Sequence, residues 1–312
     1  MIKKYLVAIS LIGLFFFAVG CNEQTTDSKD ETPFVGGTAG LLIDFVEDSP
    51  PAEVTDGGNF PFDVVVKLEN DGEHFVAKED VVLKITGIDP AEFGRTASDL
   101  TKNPDEDLEE TKKDAEGNII DGTITFVEFQ NFNYLNNLSG NTPFTFKVDV
   151  CYKYGTTVNA KLCVLKDLLK PEESDVCKVN EAKTAYNSGA PVQITSFEEM
   201  VRGSDKVAFS FKIEHKGNGE IFKEDTDCDS GIRTDEDKVF VNVNTNMTGL
   251  SCSGLSNGTS GYVNLYSNDR TIICTQDLSD VTTDFEKVAV IELVYDYQED
   301  KQKEVLVKHL IS

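Results

Sequence analysis

Period-two alternation of apolar and polar residues is the strongest constraint on this chain. Phe144-Thr145-Phe146-Lys147-Val148-Asp149-Val150 shows it, as do Phe209-Ser210-Phe211-Lys212-Ile213 and Val239-Phe240-Val241-Asn242-Val243. Successive side chains of a strand point to opposite faces, so this pattern sets one face on a core and the other in water. Antiparallel sheets produce it and helices do not. The alternation predicts strands over 39–47, 60–69, 79–86, 123–129, 143–153 and 157–165 in the first half. In the second half it predicts 191–197, 206–215, 238–244, 261–267, 271–275, 286–297 and 303–309. Short strands separated by Gly, Asn and Pro predict an all-β protein built from sandwiches.

The two halves repeat one another. Lys67-Leu68-Glu69, followed by Asn70 and Gly72, corresponds to Lys212-Ile213-Glu214, followed by Gly217-Asn218-Gly219, 145 positions later. Tyr152-Lys153-Tyr154 corresponds to Tyr295-Asp296-Tyr297, and Leu162-Cys163-Val164 to Val305-Leu306-Val307, both at 143. Near-constant offsets between separate motifs indicate a tandem duplication. A strand ending in Asn-x-Gly or Gly-Asn-Gly resembles the CARDB-type branch of immunoglobulin-like domains, which implies two tandem immunoglobulin-like sandwiches.

The first residues address the compartment. Lys3 and Lys4 precede an apolar run over 5–19, and Ala18-Val19-Gly20-Cys21 closes it. A basic start, an apolar core and small residues before a cut site describe a secretory signal. The run is shorter than the roughly 20 residues that span a bilayer. The segment resembles a prokaryotic lipoprotein signal with its lipobox. That resemblance implies cleavage before Cys21 and lipid on its thiol. Residues 22–37 are polar and without periodicity, and read as a flexible tether. The expected organisation is a signal peptide (1–20), tether (21–37), β-domain 1 (38–169), linker (170–188) and β-domain 2 (189–312).

The whole layout is similar to surface proteins of small-genome archaea. The shared features are Gly40-Leu41-Leu42-Ile43-Asp44-Phe45, Pro50-Pro51, Cys151-Tyr152-x-Tyr154 and Gly189-Ala190-Pro191-Val192. That group supplies no established activity.

An exported chain permits disulfides, and six cysteines remain after Cys21. Cys151, Cys163 and Cys177 lie in the first copy and its linker, and Cys228, Cys252 and Cys274 in the second. Three is odd, so full pairing requires a bridge between the halves. A hairpin centred near Thr157 would set Cys151 opposite Cys163. Cys252 would then meet Cys274, and Cys177 would join Cys228 and stiffen the two domains into a rod. No CxxC spacing supports a zinc site instead.

Asp225, Asp227, Asp229 and Glu236 fall at positions 1, 3, 5 and 12 of a loop that resembles a calcium-binding EF-type loop. Ser230 stands where that loop needs glycine, and strands rather than helices flank it. Calcium is the one cofactor this pattern allows. Gly254-Leu255-Ser256-Asn257-Gly258 matches a hydrolase nucleophile pattern but lies in a Gly/Ser/Asn loop. His74 and His215 occupy corresponding turns, and His309 lies near the C-terminus. Asn137, Asn246 and Asn257 head glycosylation sequons.

Lys and Arg total 29 against 55 Asp and Glu, a net charge of −26. Such a chain repels phosphate backbones, which excludes a nucleic-acid partner. The expectation is a non-enzymatic protein, lipid-anchored to the outer face of a membrane, with a binding, adhesion or envelope-structural role. Its partner would be a surface protein or glycan. The alternative is an exported hydrolase or a calcium-dependent binder, with a site in domain 2 or the inter-domain groove.

Overall fold

The computed structural model describes residues 32–226, 228 and 231–310. Cys21, the signal segment and residues 22–31 lie outside the described residues, as do Asp227, Asp229 and Ser230. The chain is all-β, in sheets that are antiparallel but for one short parallel pairing and that pack as sandwiches. The first half holds β1 (Leu41–Phe45), β2 (Glu53–Thr55), β3 (Phe62–Asn70) and β4 (Val81–Thr86). It continues with β5 (Thr101–Lys102), β6 (Lys112–Lys113), β7 (Ile119–Ile120), β8 (Ile124–Phe132) and β9 (Thr142–Val164). The second half holds β10 (Glu181–Ala182), β11 (Ala185–Asn187), β12 (Val192–Val201), β13 (Lys206–His215) and β14 (Glu220–Phe222). It ends with β15 (Lys238–Asn244), β16 (Leu250–Ser253), β17 (Ser260–Asn264), β18 (Asp269–Asp277) and β19 (Phe285–Lys308).

Two outer sheets, ordered β1-β3-β8 and β10-β12-β13-β18-β16, belong to one half each. The central sheet, ordered β17-β15-β19-β9-β4-β5, belongs to both. Its axis is the antiparallel pair β9 and β19, in register from Phe285 opposite Val164 to Val307 opposite Thr142. A strand of 23 residues runs roughly 75 Å, several times the usual length, so each spans both sandwiches. The first part of β9 pairs with β4 and its last part with β11. Likewise β19 pairs first with β15 and at its end with β2, a strand of the other half.

The duplication becomes a two-fold relation. Positions 143 apart are equivalent, and Lys153 lies directly opposite its own equivalent, Asp296. Tyr152 therefore meets Tyr297, and Tyr154 meets Tyr295. All four rings are fully buried, and one apolar core runs through both halves.

Each phenol is tied to its own half, three of them here to the outer sheet and Tyr297 to the turn after β13. Leu41 N–H donates to Tyr152 Oη at 3.2 Å, and Val192 N–H donates to Tyr295 Oη at 3.3 Å. Tyr154 Oη donates to Asn70 Oδ1 at 3.1 Å, while Gly219 N–H donates to Tyr297 Oη at 2.8 Å. A Cβ at Gly72 would stand 2.1 Å from Tyr154 Oη, and one at Gly217 2.2 Å from Tyr297 Oη. The glycines that close the repeated strand motif are thus required by the tyrosines.

Several expectations are corrected here. Residues 143–153 and 157–165 are not two arms of a hairpin but one strand, and so are 286–297 and 303–309. Gly155 marks no turn; its missing Cβ makes room for the His74 ring, 2.8 Å from where that carbon would be. Cys151 and Cys163 lie twelve residues apart on β9, roughly 40 Å, and cannot bond. The bridges are Cys151–Cys228, Cys163–Cys177 and Cys252–Cys274. The Cys252–Cys274 pairing agrees with expectation, and a bridge between the halves exists, but it starts from Cys151 rather than Cys177.

Residues 32–37, assigned to the tether, are docked. Glu73 accepts the N–H groups of Val35 and Gly36 at 2.8 and 2.7 Å, and of Gly189 at 2.7 Å. Residues 170–188 are likewise more than a spacer, because β10 and β11 add to the edges of β12 and β9. The described residues from Thr32 on form one compact unit, and the linker does not mark a boundary of packing.

Peptide mapping without reduction should return the three bridges above. A Cys151–Cys163 peptide would contradict the continuous β9.

Candidate functional site

The outward face of the central sheet carries polar chemistry where the two-fold axis emerges. Alternation along β9 sends Tyr152 and Tyr154 inward and Cys151 and Lys153 outward; Asp296 is outward on β19. The chain after β14 crosses this face and is fastened to it by Cys151–Cys228. Thr226 N–H donates to Asp296 Oδ2 at 2.9 Å, and Lys153 Nζ pairs with Asp225 Oδ1 at 2.8 Å. The equivalent residues Lys153 and Asp296 are thus each bound to the crossing segment.

That segment buries Asp296 to 5% exposure. Burial pushes its carboxyl up to about 6, against the opposing pull of the Thr226 and Asp225 N–H groups. The Lys153 ammonium is held above its ordinary value, chiefly by its bond to Asp225 and further by Glu224 and Asp80. Glu79 and Asp80 complete a small cleft of about 160 Å³ beside Lys153 and Asp296. A second, of about 350 Å³, lies against the disulfide and is lined by Val82, Lys84, Thr101, Asp149 and Gln298. Tyr262 Oη donates to Glu224 Oε1 at 2.8 Å and Lys223 Nζ sits 5.3 Å from the Tyr262 ring centre, anchoring the segment at β17. Burial and Glu224 push the Tyr262 phenol up to about 12.

This is the surface on which the expected calcium loop falls. Asp225 is engaged by Lys153, and Glu236 makes an isolated bridge to Phe222. Asp227 and Asp229 lie outside the described residues. Among the described residues, no group of three or more His, Cys, Asp or Glu is placed to hold a metal ion.

The three histidines separate. His74 packs on Tyr154 with ring centres 5.2 Å apart, and His215 Nε2 lies 2.9 Å from Tyr297 Oη. Both support the tyrosines, and burial lowers both imidazoles below their ordinary value. His309 Nδ1 lies 2.7 Å from Asp56 Oδ2. That bond, with the N–H groups of Leu138 and Leu310, lowers Asp56 to about 2. Ser256 sits in the turn between β16 and β17 rather than before a helix. Asn137, Asn246 and Asn257 are all exposed, outside the strands.

Sequence reasoning missed Glu199. It is fully buried on β12, and its two oxygens accept the Cys163 N–H at 3.1 and 3.0 Å. Lys183 of the linker approaches to 3.6 Å and is shared with Glu181. One acid among 55 carries no signal of burial, although Glu199 shares the inward face of β12 with Phe197 and lies opposite Phe209, two residues further along the alternation. The described part of the chain offers no helix long and apolar enough to cross a membrane. The chain matches no known protein-family model and no curated protein.

Burial pushes Glu199 up from 4.5 to about 7, so the folded state holds this proton more tightly than the unfolded chain. Its stabilising contribution is complete below pH 4.5 and is lost as pH rises through 7. A shift of this size corresponds to at most about 3 kcal/mol. Urea titrations at pH 5 and pH 8 should show Glu199→Gln losing less stability between the two than wild type. An unchanged difference would show that Glu199 titrates normally.

Proposed function

We propose that this chain is a lipid-anchored surface protein that works by binding rather than catalysis. The lipid on Cys21 holds it at the outer face of a membrane, and the body presents its surfaces to an external protein or glycan. The observation that carries this reading is the set of three disulfides, which joins all six cysteines beyond Cys21. Such complete pairing fits an oxidising compartment outside the cytoplasm, where the signal would deliver the chain. Sharing of β9 and β19 supports the binding role, because a body with no internal hinge presents its surfaces in fixed positions. A net charge of −26 favours solvation of that body and a cationic or neutral partner.

The test is the anchor. Wild type should partition into the detergent phase, and Cys21→Ser should move to the aqueous phase with its fold unchanged. A mutant that partitions like wild type removes the anchor and the surface reading with it.

A further inference from the structure

The two-fold relation exposes a difference between the halves. In the second, the edge of β12 is closed by the chain itself. β11 pairs antiparallel with β9, setting Asn187 opposite Val158 and Ala185 opposite Ala160. The Asn187 side chain then reaches across to β12. Its Nδ2 donates to Ile194 O at 2.9 Å, and its Oδ1 accepts the Ile194 N–H at 2.7 Å. One short extended segment thus links the edges of both sheets.

The equivalent place in the first half is an open groove of about 620 Å³. Ile43 pairs with Leu68 as Ile194 pairs with Ile213, which makes Ile43 the counterpart of Ile194. Gly40 O accepts the Asp71 N–H, and Val46 N–H donates to Val65 O, so even-numbered residues of β1 face β3. The N–H and C=O of Ile43 therefore point into the groove. The counterparts of Val158 and Ala160 are Lys301 and Lys303 on β19. This stretch lies between the pairings with β14, which end at Gln298, and with β2, which begin at Leu306. Asn218 lines the groove as well. Its counterpart Glu73 donates its backbone N–H to Gly189 O, just past β11.

The walls of the groove differ from the filled site in one respect. The inward positions of β9 there are Thr156, Val158 and Ala160, all buried. On β19 Glu299 and Lys301 line the groove, and Lys303, next on the same face, lies just beyond them with Nζ 3.4 Å from Val46 O. The groove is suited to an extended chain with charges, not to an apolar one.

We propose that this groove receives an extended segment of a partner protein, which adds to β19 as β11 adds to β9. The segment runs antiparallel to β19, with an Asn or Gln opposite Lys301 bridging Ile43 and an Asp or Glu opposite Lys303. Backbone pairing supplies the affinity and these two side chains the selectivity. The inference deepens the binding reading above and rests on it.

The probe is the heptapeptide Lys-Thr-Asp-Tyr-Asn-Ser-Gly, which is residues 183–189 with Ala185→Asp. Added to the full chain, it should slow amide hydrogen exchange at Ile43 and across 299–303 while leaving Ile194 unchanged. Replacing its Asn with Val should weaken binding about tenfold, since Ile43 loses both bonds. Lys303→Glu in the protein should weaken the same peptide, and a peptide with Lys in place of its Asp should restore binding. No peptide-dependent protection at Ile43, or equal binding of the Asn and Val peptides, would overturn the proposal. Protection at Ile43 that grows with protein concentration in the absence of peptide would assign the groove to a second copy instead. The anchor test is independent of these results, so failure here leaves the surface reading standing.

Discussion

The structure depends on one antiparallel pair, β9 with β19. Because each strand crosses from one sandwich to the other, neither half has a complete central sheet without its partner's strand. The four tyrosines at the crossing fix the register. Tyr152 and Tyr297 pack edge-to-face at 5.8 Å; the Tyr152 phenol bonds to Leu41 and the Tyr297 phenol to His215, each in the outer sheet of its half. A one-residue slip of either strand would turn its two rings from the core to the outward face and break their pairing with the other two. Cys151–Cys228 lies on the other side of the same crossing and fastens the acidic segment over Lys153 and Asp296.

Much of this was legible in the sequence. Strands 206–215 and 238–244 follow from alternation to the residue, and the repeated Tyr-x-Tyr, Gly and His motifs give the duplication. The sequence could not say that these repeats face one another. The expected hairpin centred near Thr157 does not form, and the nearby Gly155 answers to the His74 ring, which is remote in sequence. The polar run 298–302 falls between the expected strands for a related reason. Its inward positions border an open groove, so the apolar half of the alternation is missing although the backbone stays extended. Both misreadings broke a long strand in two, and the false hairpin then gave the false bridge from Cys151 to Cys163.

The candidate surfaces follow from the same geometry. The axis sets Lys153 opposite Asp296, unlike charges at equivalent positions, and a segment from the second half alone covers both. Asymmetry returns at the groove, where β11 fills one equivalent place and nothing among the described residues fills the other. Differences between the copies, rather than the features they share, mark the surfaces available to a partner.

The central claim is that the shared strands make residues 32–312 one cooperative unit. Differential scanning calorimetry of the full chain with its disulfides intact tests it most directly. The account predicts one unfolding transition in which the calorimetric and van't Hoff enthalpies agree. Two resolved transitions, or a van't Hoff enthalpy near half the calorimetric value, would show two sandwiches unfolding independently and would contradict it.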